Sequence, residues 1–268
     1  MKFEKKISDF IINWLKKYNV DNKMNGYVVG VSGGVDSALT SSLCAMTGLP
    51  LLCLEMDIYQ KKDEKNRAVN HIKNLKKRYS NVDFKSIELT NTFDIFQKSV
   101  GSENENDNRL HSLANTRSRL RMITLYYFAS IYNYLVVGTG NKVEDFGIGF
   151  YTKYGDGGVD LSPIADLMKS EVFQVAKYLG VSNEILNAQP TDGLWSDNRT
   201  DNDQIGATYE ELEWAMRVEN KEKYNPKSNR EREILSIYNK FNNMNKHKMI
   251  PIPICLIPRK FKSLSTND

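Results

Sequence analysis

Cysteine is scarce in this chain: 268 residues contain only Cys44, Cys53 and Cys255. They stand singly, with no paired spacing, so neither a zinc cluster nor a disulfide framework is expected. Cys44 and Cys53 sit inside apolar runs, which points to buried, inert thiols in a reducing compartment, the cytoplasm. Long hydrophobic runs are missing too. No stretch of 18 apolar residues occurs, so no membrane span is expected. The N-terminus, MKFEKKISDFIINWLKKYNV, begins basic but has no apolar core and no small-residue cleavage site. It reads as an amphipathic helix with Phe3, Ile7, Phe10, Ile11, Trp14 and Leu15 on one face. A concentrated basic stripe is also lacking. The net charge of +4 comes from 37 basic and 33 acidic residues spread along the chain, which argues against nucleic acid and suits small anionic substrates.

Short apolar runs alternate with helical patterns through the first half. Strands are expected at 27–31, 50–55, 82–89 and 134–138, and helices at 37–46, 63–79, 91–100 and 110–132. The segment 101–108 (GSENENDN) reads as a loop. Such alternation implies βαβ units, hence an α/β, doubly wound, mostly parallel sheet with helices on both faces. Right-handed crossovers favour the order 3-2-1-4, with room for an edge strand, and a ligand crevice between strands 1 and 4. After residue 145 the alternation fails. Helices are expected at 166–179, 209–217 and 228–241, then a proline-extended tail, IPIPICLIP, packed on the surface. Residues 1–204 read as the main domain and 205–268 as a helical appendage without a core of its own.

The segment YVVGVSGGVDSALTSSL is a strand, a sharp turn and a helix. Gly33 and Gly34 allow the tight turn; its N–H groups and the hydroxyls of Ser32 and Ser37 make an anion cradle at a helix N-terminus. Asp36 inside that cradle repels phosphate unless Mg²⁺ lies between them. A Walker A loop needs a lysine that is missing here. The run Gly30–Gly34 also satisfies GxSxG, the nucleophile elbow of serine hydrolases, with His247 late in the chain as a base. That reading leaves Asp36 and Ser37 unexplained, as does a plain helix-capping turn.

The turn matches the SGGxDS signature of the ATP pyrophosphatases at Ser32, Gly33, Gly34, Asp36 and Ser37. Residues 136–172 (VVGTGNKVEDFGIGFYTKYGDGGVDLSPIADLMKSEV), with NTRSRLRM at 115–122, PTDGLW at 190–195 and HK at 247–248, resemble the NAD⁺ synthetase family. The resemblance implies a Rossmann-like ATP pyrophosphatase fold. It also implies adenylation of the nicotinate carboxylate of deamido-NAD⁺ by MgATP, then displacement of AMP by ammonia. Carried over by position, it assigns ATP to Gly30, Val31, Ser32, Gly33, Gly34, Val35, Asp36, Ser37, Thr139, Lys169 and Thr191. Deamido-NAD⁺ goes to Arg119, Lys153, Asp160, His247 and Lys248. Mg²⁺ goes to Asp36 and Glu144, with Asp145 the alternative to Glu144. Asp36, Lys153 and Asp160 are the implied catalytic residues.

Arg119 and Arg121, two apart on a helix, do not share a face. Only one points into the crevice, and Arg121 is expected to be the pairing or packing one. No room for an amidase domain precedes the turn, so ammonia rather than glutamine is the expected nitrogen donor. Residues 120–132 are apolar almost all round, which suggests a helix covered by the sheet and by a twin subunit; the family is homodimeric. The competing readings are another ATP pyrophosphatase, such as a tRNA-thiolating enzyme or a GMP synthetase, and a nucleotide-binding regulator without turnover.

Overall fold

The computed structural model describes residues 3–101, 107–191, 193–194, 200–219 and 224–261. Four strands build the sheet: β1 (Gly26–Gly30), β2 (Leu51–Asp57), β3 (Val82–Glu88) and β4 (Tyr134–Val136). All pair in parallel in the order β3-β2-β1-β4, as the crossover reasoning predicts. Beyond β4 the expected edge strand shrinks to one bridge, Val137 with Leu161. The N–H of Asp160 donates to Val136 O over 2.9 Å.

Neighbouring residues of each strand point to opposite faces; both faces are buried along β1 and β2, while the edge strand β3 is buried only at Val82. Tyr27, Val29, Val31, Leu51 and Cys53 face one core, with side chains from α1 (Phe3–Asp21), α2 (Val35–Met46), α3 (Lys62–Arg78) and α6 (Lys169–Tyr178). Val28, Leu52, Leu54 and Val136 face the other, with α4 (Thr90–Ser99) and α5 (Asp107–Tyr132). Between β4 and α6 the chain makes a π-helical turn, Val143–Ile148. After α6 come α7 (Asn183–Leu186), α8 (Asp201–Ile205), α9 (Tyr209–Glu219) and α10 (Asn229–Met249). A third apolar cluster joins Leu212, Ala215, Ile234 and Tyr238 to Val143 and Ile148 of the π turn.

Several expectations need correction. α5 begins at Asp107, so the end of the expected 101–108 loop is helical; residues 102–106 and Trp195 lie outside the described residues. On α5, Ile123, Tyr127 and Ile131, four residues apart, are all more than half exposed within one chain, on the side where a twin subunit is expected. α1 packs through Ile11, Ile12 and Leu15 while Phe10 is 72% exposed, because its neighbours α2 and α6 take the aliphatic stripe rather than the aromatic one. α10 runs to Met249, eight residues past its expected end. The tail stands off the surface, with Ile252, Ile254, Leu256 and Cys255 exposed. Cys44 and Cys53 are fully buried, and burial pushes the Cys53 thiol up to about 12. Among the described residues, no helix is long and apolar enough to cross a membrane.

Candidate active site

A cavity of about 550 Å³ opens at the carboxyl ends of β1 and β4, the switch point of the sheet. Gly30, Val31, Ser32, Gly34, Val35, Asp36 and Ser37 line it on one side, and Thr139, Glu144, Lys169 and Thr191 on the other. Gly33 is not on the wall. It has φ +89°, and a Cβ there would come within 2.5 Å of Glu64 O, so glycine is required for the turn to seat against α3. Within the turn, Ser37 Oγ donates to Gly34 O (3.0 Å) and accepts from Ser32 N–H (3.2 Å). Ser32 is engaged with Ser37, and His247 Nδ1 lies 3.2 Å from Met244 O. That leaves the serine-hydrolase reading without a nucleophile–base pair.

Opposite the turn, Lys169 opens α6 and is only 4% exposed. Its Nζ donates to Asp36 Oδ2 at 2.6 Å and to Glu144 Oε1 at 3.0 Å. Burial alone pushes its pKa down, but the charges of Asp36 and Glu144 outweigh it and hold the ammonium well above its ordinary value. Asn141, fully buried, donates through Nδ2 to Asp36 Oδ1 (3.0 Å) and caps the π turn by accepting from Val143 N–H and Glu144 N–H. One side chain therefore sets the spacing between Asp36 and Glu144. Tyr209 O–H adds a 2.5 Å contact to Glu144 Oε1.

Glu144 and Asp145, the two candidates for a second carboxylate, both line the cavity, and burial raises both carboxyls. Glu144 joins Asp36 around the ammonium, whereas Asp145 packs against Gly140. Burial raises the Asp145 carboxyl well above its usual range, reinforced by Glu144, Asp156 and Asp36. Asp36 and Glu144 already bracket a cation with hard oxygens, so the donor set fits Mg²⁺ shared with phosphates.

The outer wall carries cations. Arg119, Lys153, His247 and Lys248 line it, as does His111. Arg119 Nη2 donates to Lys153 O (3.3 Å), Lys153 Nζ to His247 O (2.9 Å), and Lys248 Nζ to Gly149 O and Tyr151 O (2.8 Å each). The extra turns of α10 bring the last two residues here. Asp160 does not reach the cavity wall. It is exposed, and its carboxylate accepts from Val136 N–H (2.7 Å) and Tyr126 O–H (3.0 Å). Arg121 packs at the cavity floor, donating to Met56 O (3.2 Å) and Gln60 Oε1 (2.6 Å). Burial holds its pKa down to about 10.

Asn141 and Tyr209 escaped the sequence reading. Asn141 follows the GTG run directly, a usable signal; Tyr209 opens an ordinary amphipathic helix and gave none.

An all-parallel α/β sheet with an aspartate in its switch-point phosphate cradle, facing a buried lysine, defines an ATP-dependent ligase of the ATP pyrophosphatase class. A family model described as NAD synthase matches residues 7–251. The chain belongs to the NAD synthase family, ATP-dependent ligases of NAD⁺ biosynthesis. It is similar to the NH(3)-dependent NAD(+) synthetase of Carboxydothermus hydrogenoformans, 35% identical over 209 residues that cover 76% of this chain and 81% of that protein. The enzyme of the same name from Malacoplasma penetrans is 38% identical over 214 residues, covering 78% and 81%. Among solved structures, NMN synthetase from Francisella tularensis superposes with a TM-score of 0.83 at 32% identity, covering 96% of this chain and 99% of that one. NH3-dependent NAD synthetase from Campylobacter jejuni gives 0.75 at 26%, covering 96% and 100%.

Proposed function

We propose that this chain amidates the nicotinate carboxylate of deamido-NAD⁺ with ammonia, in two steps that share one centre. A carboxylate oxygen attacks the α-phosphorus of ATP, and the bond to the β-phosphate bridging oxygen breaks as pyrophosphate leaves. Ammonia then attacks the acyl carbon, the bond to AMP breaks, and nitrogen loses a proton. The observation that carries this reading is the Lys169 ammonium held between Asp36 of the turn and Glu144.

Each residue has a part in that sequence. The N–H groups and hydroxyls of the turn receive the pyrophosphate end of ATP, and Thr139 and Thr191 flank it. Lys169 brings a positive charge to the oxygens on which charge develops. Asp36 and Glu144 would hold Mg²⁺, which when bound would neutralise charge on the phosphates. Arg119, Lys153, His247 and Lys248 receive the anionic dinucleotide and orient its carboxylate, which is where most of the rate advantage of such a reaction arises.

The exposed Ile123–Tyr127–Ile131 stripe of α5 supports a homodimer; Asp160, held off the cavity wall by Val136 N–H and Tyr126 O–H, is given no part in the chemistry. The third apolar cluster, shared by α9, α10 and the π turn, supports assigning residues 205–268 as an appendage of the main domain. The single buried thiols support a cytoplasmic enzyme.

A second reading rests on the similarity to NMN synthetase: the same carboxylate, carried on a mononucleotide, makes NMN. Steady-state kinetics with purified protein decide between them. Higher kcat/KM for deamido-NAD⁺ than for nicotinate mononucleotide, and for ammonium than for glutamine, is expected. A tenfold preference for the mononucleotide replaces the first reading with the second. Parity with glutamine removes the ammonia assignment.

A further inference from the structure

Tyr209 belongs to neither substrate's expected contact set, yet both ends of its side chain meet the charged centre. Its hydroxyl lies 2.5 Å from Glu144 Oε1 and 2.8 Å from Asp201 Oδ2. A phenol has one proton to give, and the shorter contact assigns it to Glu144. The ring lies under the other partner of that carboxylate, with Lys169 Nζ 4.6 Å from its centroid, close enough for a cation–π attraction. Tyr209 is 7% exposed and Asp201 5%, so neither contact competes freely with water.

A second observation points the same way. One turn further along α9, Glu213 accepts from Ser170 N–H and Ser170 Oγ–H, both at 2.8 Å. Ser170 follows Lys169 at the start of α6. The clamp fixes the backbone that carries Lys169, while Tyr209 fixes the side chain. α9 therefore grips this lysine at two levels and Glu144 at one.

We propose that Tyr209 is a positioning residue for the phosphate-splitting centre, its hydroxyl orienting Glu144 and its ring seating the Lys169 ammonium. The inference rests on the reading of Asp36 and Glu144 as the carboxylates that hold Mg²⁺ on ATP. Residues that orient a metal-binding carboxylate typically change metal affinity 10- to 100-fold when removed.

The test measures Mn²⁺ binding to the full-length protein with a non-hydrolysable ATP analogue, by electron paramagnetic resonance of free Mn²⁺. Tyr209→Phe keeps the ring and removes the hydroxyl; it should weaken Mn²⁺ about tenfold and leave analogue affinity in EDTA unchanged. Tyr209→Leu, without the ring, should weaken the analogue in EDTA as well. Glu144→Gln is the reference and should weaken Mn²⁺ at least as much as Tyr209→Phe. If Glu144→Gln weakens Mn²⁺ and Tyr209→Phe does not, the inference is overturned and the metal reading stands. If neither does, the metal reading fails and the inference falls with it. Loss of analogue affinity in EDTA by Tyr209→Phe, equal to its loss in Mn²⁺, marks a general packing role and also overturns it.

Discussion

At the scale of single residues, Lys169 decides the character of the centre. A buried lysine between two carboxylates neutralises a pair that otherwise repel, and removing one partner of a buried ion pair typically costs about 3–5 kcal/mol. Lys169→Met should therefore lose activity by about 10²–10³, the range seen when one transition-state donor is deleted, and should also unfold at a lower temperature. Its exposed carboxylate pair is then open to a metal. Adding Mg²⁺ alone should raise the melting temperature of Lys169→Met more than that of the parent protein; equal shifts in a thermal scan contradict the shared seat.

His71 gives a second prediction. It is 6% exposed, with Nε2 2.9 Å from Ser41 Oγ. Burial holds its pKa down to about 4, with Arg78 adding to the effect. The unfolded chain takes up this proton below about pH 6.5 while the folded chain declines it, so folding stability falls on acidification from there towards pH 4. From pH 7.5 to pH 5 the cost is about 2 kcal/mol. Denaturant titrations at both pH values should show this loss in the parent protein and its absence in His71→Gln.

The same scale shows what a sequence discloses. The turn at 32–37 is legible because its chemistry is local: the glycines, hydroxyls and aspartate fall within six residues. Tyr209 and Asn141 are not, because their partners Glu144 and Asp36 lie 65 and 105 residues away. Only packing brings these together. Asp160 shows the converse case: its motif position was plain, while the direction of its carboxylate, towards Val136 N–H and Tyr126, is set by the edge of the sheet.

Among the elements, α5 has more apolar surface than one chain covers. Its apolar residues cover most of its circumference, and that pattern predicts burial on all sides. One chain supplies only the sheet, so the stripe at Ile123, Tyr127 and Ile131 remains open. Sedimentation velocity at micromolar concentration should show a dimer for the parent protein and a monomer for Ile123→Arg, since a desolvated charge has no partner there. A monomeric parent removes the assembly. α10 is longer than expected. Its expected end is residue 241, but Asn242 and Asn245 donate to Gly147 O and Ile148 O. Polar contacts to the π turn continue the helix, which places His247 and Lys248 beside Lys153.

For the molecule as a whole, the strand order was legible because handed crossovers leave few arrangements of four parallel strands. The extent of the π turn and the third apolar cluster was not, since both depend on contacts between segments distant in the chain.

The separation of Asp36 from Lys169 by 133 residues bears on how the protein is born. Synthesis runs from the N-terminus, and non-local parallel pairings form late. The cradle emerges early and waits for β4 to join β1 and for residues 169 and 209 to leave the ribosome. A prematurely ended product holds the cradle without its counter-charge. The capacity to split ATP therefore arrives only once the segment that carries Lys169 and Tyr209 has been made, and translation itself sets the order in which cradle and counter-charge come together.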